Sequence, residues 1–340
     1  MNASVRDVAT RAGVSVGTVS NVLNHPEKVS STVVDRVRSA ISELGYVRND
    51  AARQLRAGRS RSIGLVVIDG RNPFFTDLAR GAADRAAEHG LTVVVGDADE
   101  STQREAAYLD LFEQQRVFGV LVAPIGDDIS RLVRLREVGV PCVLVDREST
   151  DAGMPSVAVD DVAGGQLAAG HLLAIGRRRI AFAGGPLTLH QVADRLEGAQ
   201  SAVGRVESAT LEVIGVPSLT VESGWGAAER ILARPPEARP DSVLAANDLV
   251  ALGIMQRLMA SGSVRIPDDI AIVGYDDIDY AAIAGIPLTS VRQPAPAIGA
   301  TAVDILMSHT SEPSAAAAHI QFRPELVVRA STTGESKGER

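Results

Sequence analysis

Residues 4–24 read SVRDVATRAGVSVGTVSNVLN, and this stretch decides how the chain begins. Ser4 stands before an apolar set at Val5, Val8, Ala9 and Ala12, the spacing of one helix face, and Asp7 three residues on completes a capping box. Gly13 stops that helix. Ser15 then caps a second one in which Val19, Val22 and Leu23 point inward, leaving Val16, Gly17, Thr18 and Asn21 outward. Two short helices across a glycine turn form a helix-turn-helix pattern. After the polar residues 24–30 a third helix carries Val33, Val34, Val37, Ile41 and Leu44 and is closed by Gly45. A three-helix bundle of any other use has the same periodicity, so spacing alone leaves both readings open. Residues 13–17 also fit the G-x-S-x-G nucleophile elbow, but that turn needs a strand before it, and here a helix is predicted on each side.

The 340 residues are enough for two or three folding units. Cys142 is the only cysteine, which excludes an internal disulfide framework and cysteine-built metal sites. The opening MNASVRDVAT lacks the basic and apolar segments of a secretory leader, and no apolar run approaches the length of a membrane span. A soluble, cytoplasmic protein without membrane attachment is expected. The net charge of -8 is unevenly spread: residues 1–62 hold ten Lys/Arg against five Asp/Glu, leaving 24 basic and 37 acidic residues beyond. A basic head on an acidic body fits a head that meets phosphates.

The run VRDVATRAGVSVGTVSNVLN, followed by GYVRNDAARQLRAG at 45–58, resembles the headpiece of the lactose-repressor (LacI/GalR) family of transcription regulators. The resemblance implies a headpiece over 1–47 in which Ser15, Val16, Gly17, Thr18, Ser20 and Asn21 lie along the major groove. It adds Asn24, Ser30, Tyr46, Asn49, Ala52, Gln54 and Leu55 to the DNA-contacting set. Residues 49–56, within a hinge and linker at 48–61, would form a helix only on DNA, with Leu55 wedged into the minor groove. The composition agrees: Asn49 is a good N-cap and Ala51, Ala52, Gln54, Leu55 and Arg56 favour helix, yet two turns are too few to be stable alone. Asn21 stands where many relatives have arginine, Val16-Gly17 replaces a bulkier polar pair, and Arg48 replaces a proline. Asparagine favours adenine edges where arginine favours guanine, so an operator sequence does not carry over.

From Ile63 the texture changes. IGLVVID, LTVVVGD, GVLVAP and PCVLVD read as buried parallel strands, with helices near 76–89, 102–115 and 128–138. RIAFAGG, LEVIG, DSVLAAND and DIAIVGYD form a second series, with helices near 161–175, 189–203, 222–232 and 249–261. Two series of strand–helix units predict two doubly wound lobes. The resemblance extends to about residue 332 and implies the two-lobed α/β type I periplasmic-binding-protein fold. Its lobes are expected at 62–160 with 288–320, and at 161–287 with 321–333, crossing near 160, 287 and 322. LTSVRQ and a helix at 295–309 would return to the first lobe and the last strand to the second. The polar tail 334–340 is expected to be disordered.

No Rossmann fingerprint, P-loop or H-E-x-x-H pattern occurs, and the six histidines lack ligand spacing, so neither a cofactor, a metal nor an enzyme activity is expected. Ligands of open α/β sheets bind beyond the carboxyl ends of strands. Polar residues gather there: Asp146 and Arg147, Asn247 and Asp248, Asp276 and Asp277, with Phe74 and Phe75 after the first strand and Arg195 in a helix. The resemblance implies that Phe74, Phe75, Asp146, Gln191, Arg195, Asn247 and Asp276 line an effector cleft. Arg147 and Leu219 complete the expected set. Leu189 and Leu219 occupy positions that are often polar and aromatic respectively, and VESATLEV is shorter than the corresponding loop of relatives. Carboxylates, amides and a guanidinium around aromatic faces suit a hydroxylated ring, a sugar first and a purine-like metabolite second. The expected protein is thus a repressor whose affinity for a pseudo-palindromic operator is set by a small polar effector and which acts as a homodimer. No leucine heptad follows residue 332, so no tetramer coil is expected. A transport receptor shares the two-lobed fold but should carry a leader and no basic head; a sugar-modifying enzyme is the third reading.

Overall fold

The computed structural model describes residues 3–46, 60–311 and 317–334, without the side chains of residues 310 and 311. It divides into two compact units, Met1–Arg59 and Ser60–Arg340.

In the first unit α1 (Val5–Ala12), α2 (Val16–Asn24) and α3 (Ser31–Leu44) enclose a core of valine and alanine: Val8, Ala9, Ala12, Val19, Val22, Val34, Val37 and Ala40. The expected signals mark the ends. Asp7 N–H donates to Ser4 Oγ at 3.3 Å while Ser4 N–H donates to Asp7 Oδ2 at 2.8 Å, which closes the capping box. Gly13 turns at φ 64°, where a side chain would be strained, and its N–H returns to Ala9 and Thr10 carbonyls.

The second unit contains two six-stranded sheets. β1 (Ser62–Val67), α4 (Pro73–Glu88), β2 (Thr92–Asp97), α5 (Thr102–Gln114), β3 (Gly119–Val122), α6 (Ser130–Glu137), β4 (Cys142–Val145) and β5 (Ser156–Val159) build the first lobe. The chain then passes through α7 (Asp161–Ala174), β6 (Arg179–Gly184), α8 (His190–Val203), β7 (Thr210–Gly215), α9 (Val221–Leu232), β8 (Ser242–Ala245), α10 (Asp248–Ser261), β9 (Ala271–Asp276), α11 (Asp279–Ile283) and β10 (Thr289–Arg292). α12 (Ala295–Ser311) and β11 (His319–Phe322) return to the first lobe, and β12 (Glu325–Val327) with α13 (Ala330–Thr333) to the second. The strand orders are β11-β5-β4-β3-β1-β2 and β12-β10-β9-β8-β6-β7. All pairs are parallel except β10 with β12.

Three expectations of lobe membership are corrected. LTSVRQ does not return to the first lobe: its strand β10 pairs with β9, Thr289 opposite Val273, so the boundary moves from 288 to about 293. Gln321 and Phe322, expected in the second lobe, belong to β11 in the first sheet. Prolines set both crossings, because Pro294 and Pro324 have no N–H to continue a ladder. Ser60 and Arg61, expected in the linker, belong to the large domain, where Ser60 is buried and its N–H donates to Arg116 O at 2.8 Å. LTVVVGD is also not wholly buried. β2 is an edge strand with Val94 and Val95 exposed, as is β7 with Val213, since nothing among the described residues covers these side chains. The strands β5 and β11 were not expected: SVAV and HIQF lack the continuous apolar run by which the equally short GVLV and CVLV were legible.

Three helix pairs pack through reciprocal glycines. In α7 and α8, a methyl added at Gly165 would meet Arg195 O at 2.1 Å and one at Gly198 would meet Val162 O at 2.0 Å. Gly81 and Gly299 do the same for α4 and α12, and Gly224 and Gly253 for α9 and α10. Backbones touch there, which fixes α8 and its inward side chains on the second sheet.

Candidate functional site

The headpiece presents one polar helix face. Ser15 Oγ accepts from Thr18 N–H at 3.0 Å and lies 2.9 Å from Thr18 Oγ1, so these two side chains serve the cap of α2. Val16, 44% exposed, and the exposed Gly17 and Asn21 follow on the outer face with the half-buried Ser20. Asn24 Nδ2 donates to Ser20 O and Oγ at 2.9 and 3.2 Å, which ties the last turn of that face together. Ser30 is the exposed N-cap of α3, and Tyr46 is half-buried against the headpiece core. An apolar methyl group, short hydroxyls and an amide at the N-terminal half of a helix can approach base edges in a major groove. Asn49, Ala52, Gln54 and Leu55 lie outside the described residues.

The second site is a cleft between the two lobes with about 420 Å³ of atom-free space. Phe74, Phe75, Asp146, Gln191, Arg195, Leu219, Asn247 and Asp276 line it together with Asn72, Leu189 and Glu100. Helix starts place most of them. Asn72 caps α4, its Oδ1 accepting from Phe74 N–H at 3.0 Å, which sets Phe74 and Phe75 in the first turn with rings edge to face. Asn247 caps α10 by accepting from Val250 N–H at 2.9 Å, while its Nδ2 donates to Leu219 O at 3.2 Å. Asp146 and Asp276 end β4 and β9 with positive φ of 58° and 104°, conformations that aspartate tolerates better than most residues. Such strain gathers at functional sites.

Arg195 is the centre of the network. It is 4% exposed; Nε donates to Asp161 Oδ1 at 2.7 Å, Nη1 donates to Ala246 O at 2.7 Å, and Nη1 lies 3.8 Å from Asp276 Oδ1. Its guanidinium stacks 3.7 Å from the centre of the Tyr275 ring. Burial works against its charge, but Asp161, Tyr275 and Asp276 outweigh it and hold the group protonated. Burial is also the main influence on Asp146 and Asp276, raising both above the usual carboxylate range, with Arg195 opposing it.

The cleft is spanned by contacts between lobes. Asn72 Nδ2 donates to Asp276 Oδ2 at 2.9 Å, and Gln191 Nε2 donates to Asp146 O and Oδ2 at 2.7 and 2.9 Å. Glu100 Oε1 accepts from Leu219 N–H at 3.2 Å, and His190 meets Asp127 at the rim. Gln293, on the crossing after β10, donates to Asp276 Oδ1 at 2.8 Å.

Arg147 departs from expectation. It does not line this cleft; its Nη2 donates to Asp127 Oδ1 at 2.9 Å and its Nη1 to Gly126 O, which draws the guanidinium toward the loop after β3. Sequence reasoning missed Asn72, Glu100, Asp161 and Gln293. Asn72 had a legible signal, an Asn-Pro step before an apolar helix; the others depend on chain crossings that no local pattern displays.

Comparison with known proteins agrees with both halves. The description "Bacterial regulatory proteins, lacI family" matches residues 4–49, and "Periplasmic binding proteins and sugar binding domain of LacI family" matches residues 60–325. The chain is 33% identical to the ribose operon repressor of Escherichia coli K12, over 97% of this chain and 99% of that protein. Among solved structures, the lac repressor dimer bound to operator and the anti-inducer ONPF matches with TM-score 0.82 and 28% identity, covering 98% of this chain and 99% of that one. A LacI family regulator from Enterococcus faecium with bound ribose matches with TM-score 0.73 and 26% identity, over 81% of this chain and 100% of that one. The chain belongs to the lacI family of bacterial regulatory proteins, and is a DNA-binding transcription regulator whose two-lobed domain responds to a small-molecule effector.

Proposed function

We propose that this regulator is a cytoplasmic repressor without catalytic activity, and that its effector is a small free sugar held in the interlobe cleft by Phe74, Phe75, Asp146, Gln191, Arg195, Asn247 and Asp276. The observation that carries this reading is the arrangement of carboxylates, amides and one guanidinium around two aromatic rings in a closed cleft. Hydroxyl pairs bond to such groups bidentately while the apolar ring face packs on phenylalanine. Relatives named for ribose and a neighbour holding ribose support the sugar class. No helix among the described residues is long and apolar enough to cross a membrane.

The DNA reading assigns Val16, Gly17, Ser20 and Asn21 to base edges in each half of a pseudo-palindromic operator, with Ser15, Thr18, Asn24, Ser30 and Tyr46 beside them. Asn49, Ala52, Gln54 and Leu55 are assigned to the same operator. A homodimer is required, since one headpiece covers half an operator. Apolar side chains exposed on both lobes, Val94 and Val95 on the first and Tyr280 and Ile283 on the second, suit that assembly.

Selecting operator sequences from a random pool with and without a sugar panel tests the whole reading; a sugar that shifts operator affinity is the expected result. Asp276→Ala should weaken the active sugar about ten- to a hundredfold in titrations, since a charge-assisted bond is lost. An unchanged sugar response in folded Asp276→Ala would show that the cleft is misassigned, and a monomer on DNA in sedimentation would remove the dimer.

A further inference from the structure

We propose that the cleft accepts an uncharged, hydroxyl-rich ligand and turns away anionic ones, and that Asp69 and Glu100 enforce the choice; this rests on the sugar reading of the same cleft. Four acidic side chains line the space, those of Asp69, Glu100, Asp146 and Asp276, against one lining cation among the described residues, Arg195. That cation is already engaged by Asp161, Ala246 O and Asp276, so it has little charge left for a phosphate or a sugar acid.

Among the residues that line the cleft, the buried side-chain atoms left without a hydrogen-bond partner have one sign. Asp69 has a side chain 5% exposed, and its Oδ1 accepts from Arg71 N–H and Nε at 2.9 Å. Its Oδ2 is buried without a hydrogen-bond partner among the described residues, as is Asp146 Oδ1, and both residues line the cleft. Both are carboxyl oxygens that a donating ligand group can satisfy. A hydroxyl donates; a phosphate dianion or a carboxylate does not, and it would add like charge to a water-poor space.

Asp69 and Glu100 act at the same end of the cleft. Asp69 stands two residues beyond β1, and Glu100 follows β2, its neighbour in the sheet. Glu100 N–H donates to Ile68 O at 2.8 Å, so the loop after β2 is pinned to the end of β1. The left-handed backbone of Glu100, φ 55°, goes with a side chain that reaches Leu219 N–H in the opposite lobe. Half-buried in the lining and held by Leu219 N–H, Glu100 presents carboxyl oxygens to a donating hydroxyl rather than to an anion.

The test uses the full-length chain and isothermal titration with matched pairs: D-ribose and D-ribose 5-phosphate, D-glucose and D-glucose 6-phosphate, adenosine and AMP. The neutral member of the pair that binds should do so about a hundredfold more tightly than its phosphate, because like-charge juxtaposition is strongly unfavourable. Asp69→Asn with Glu100→Gln keeps the acceptors used by Arg71 and Leu219 while removing two charges, and should narrow that gap by about tenfold or more. Glu100→Gln alone is the milder variant and should move the ratio in the same direction. A phosphate that binds as well as its parent, or a ratio unchanged in both variants, overturns the proposal. Binding of adenosine over AMP with no sugar bound would sustain the charge rule and remove the sugar reading. No binding by any member would overturn both.

Discussion

The two units of this chain solve the problem of burial differently. The headpiece core is valine and alanine throughout, and the headpiece buries no charged side chain among the described residues. The large domain buries Tyr275, Phe112 and Phe182 completely and places Arg195, Asp161, Asp248 and Asp276 among its innermost groups. Small apolar side chains each remove little area from water, so a headpiece of this size depends on well-made helix ends. The large domain has apolar area enough to hold charges in its interior, where water does not compete for them. Function follows the same division: the headpiece works with what it leaves outside, the large domain with what it encloses.

Arg195→Ala should produce the largest break in this contrast. It leaves Asp161 and Asp276 buried without their cation, and should lower large-domain stability by about 3–5 kcal/mol. Denaturation followed by Trp225, the single tryptophan, reports that domain selectively. A loss near zero would mean the charges are not truly enclosed. A companion measurement concerns Asp248, whose carboxylate accepts from Ser290 Oγ and Ile278 N–H and forms no ion pair among the described residues. Burial raises its pKa well above the ordinary carboxylate value. The folded state therefore binds that proton more tightly, and the extra stability is full below the ordinary range and lost as pH rises through the raised value. Asp248→Asn should flatten this fall in a series of denaturation curves from acid to neutral pH.

Gly198→Ala should act next, by about 1–3 kcal/mol, because its methyl would stand 2.0 Å from Val162 O and α7 and α8 would have to part. The same fluorescence transition measures it. Ser15→Ala has the smallest expected effect, about 1 kcal/mol from the lost cap of α2. That loss should appear only in headpiece amide exchange or headpiece NMR melting. A shift in the Trp225 transition as well would contradict the division drawn above.

The sequence was read more fully in the first unit than in the second. Four of the six headpiece helix ends had a local mark, Ser4 with Asp7, Gly13, Ser15 and Gly45, and the structure uses each of them. In the large domain the long central strands announced themselves by apolar runs, and eight of the nine expected cleft residues line the cleft. What escaped was set by chain reversal. β10 reads like a strand of either lobe, and only its pairing with β9 decides. Arg147 follows Asp146 directly, yet Asp127, twenty residues earlier in the chain, draws it out of the lining. Asn72 and Gln293 meet on Asp276 from widely separated segments, which no local window contains.

The two crossings at Pro294 and Pro324 also order events at the ribosome. The first sheet obtains its outer strand β11 from residues 319–322, and the second obtains β12 from residues 325–327. Neither sheet can be completed until residues 319–327 have emerged, while the headpiece, built wholly from local contacts, can fold as soon as it is free. A message cut short before codon 319 therefore yields a finished headpiece on two unfinished sheets, each with an open strand edge that invites aggregation or proteolysis.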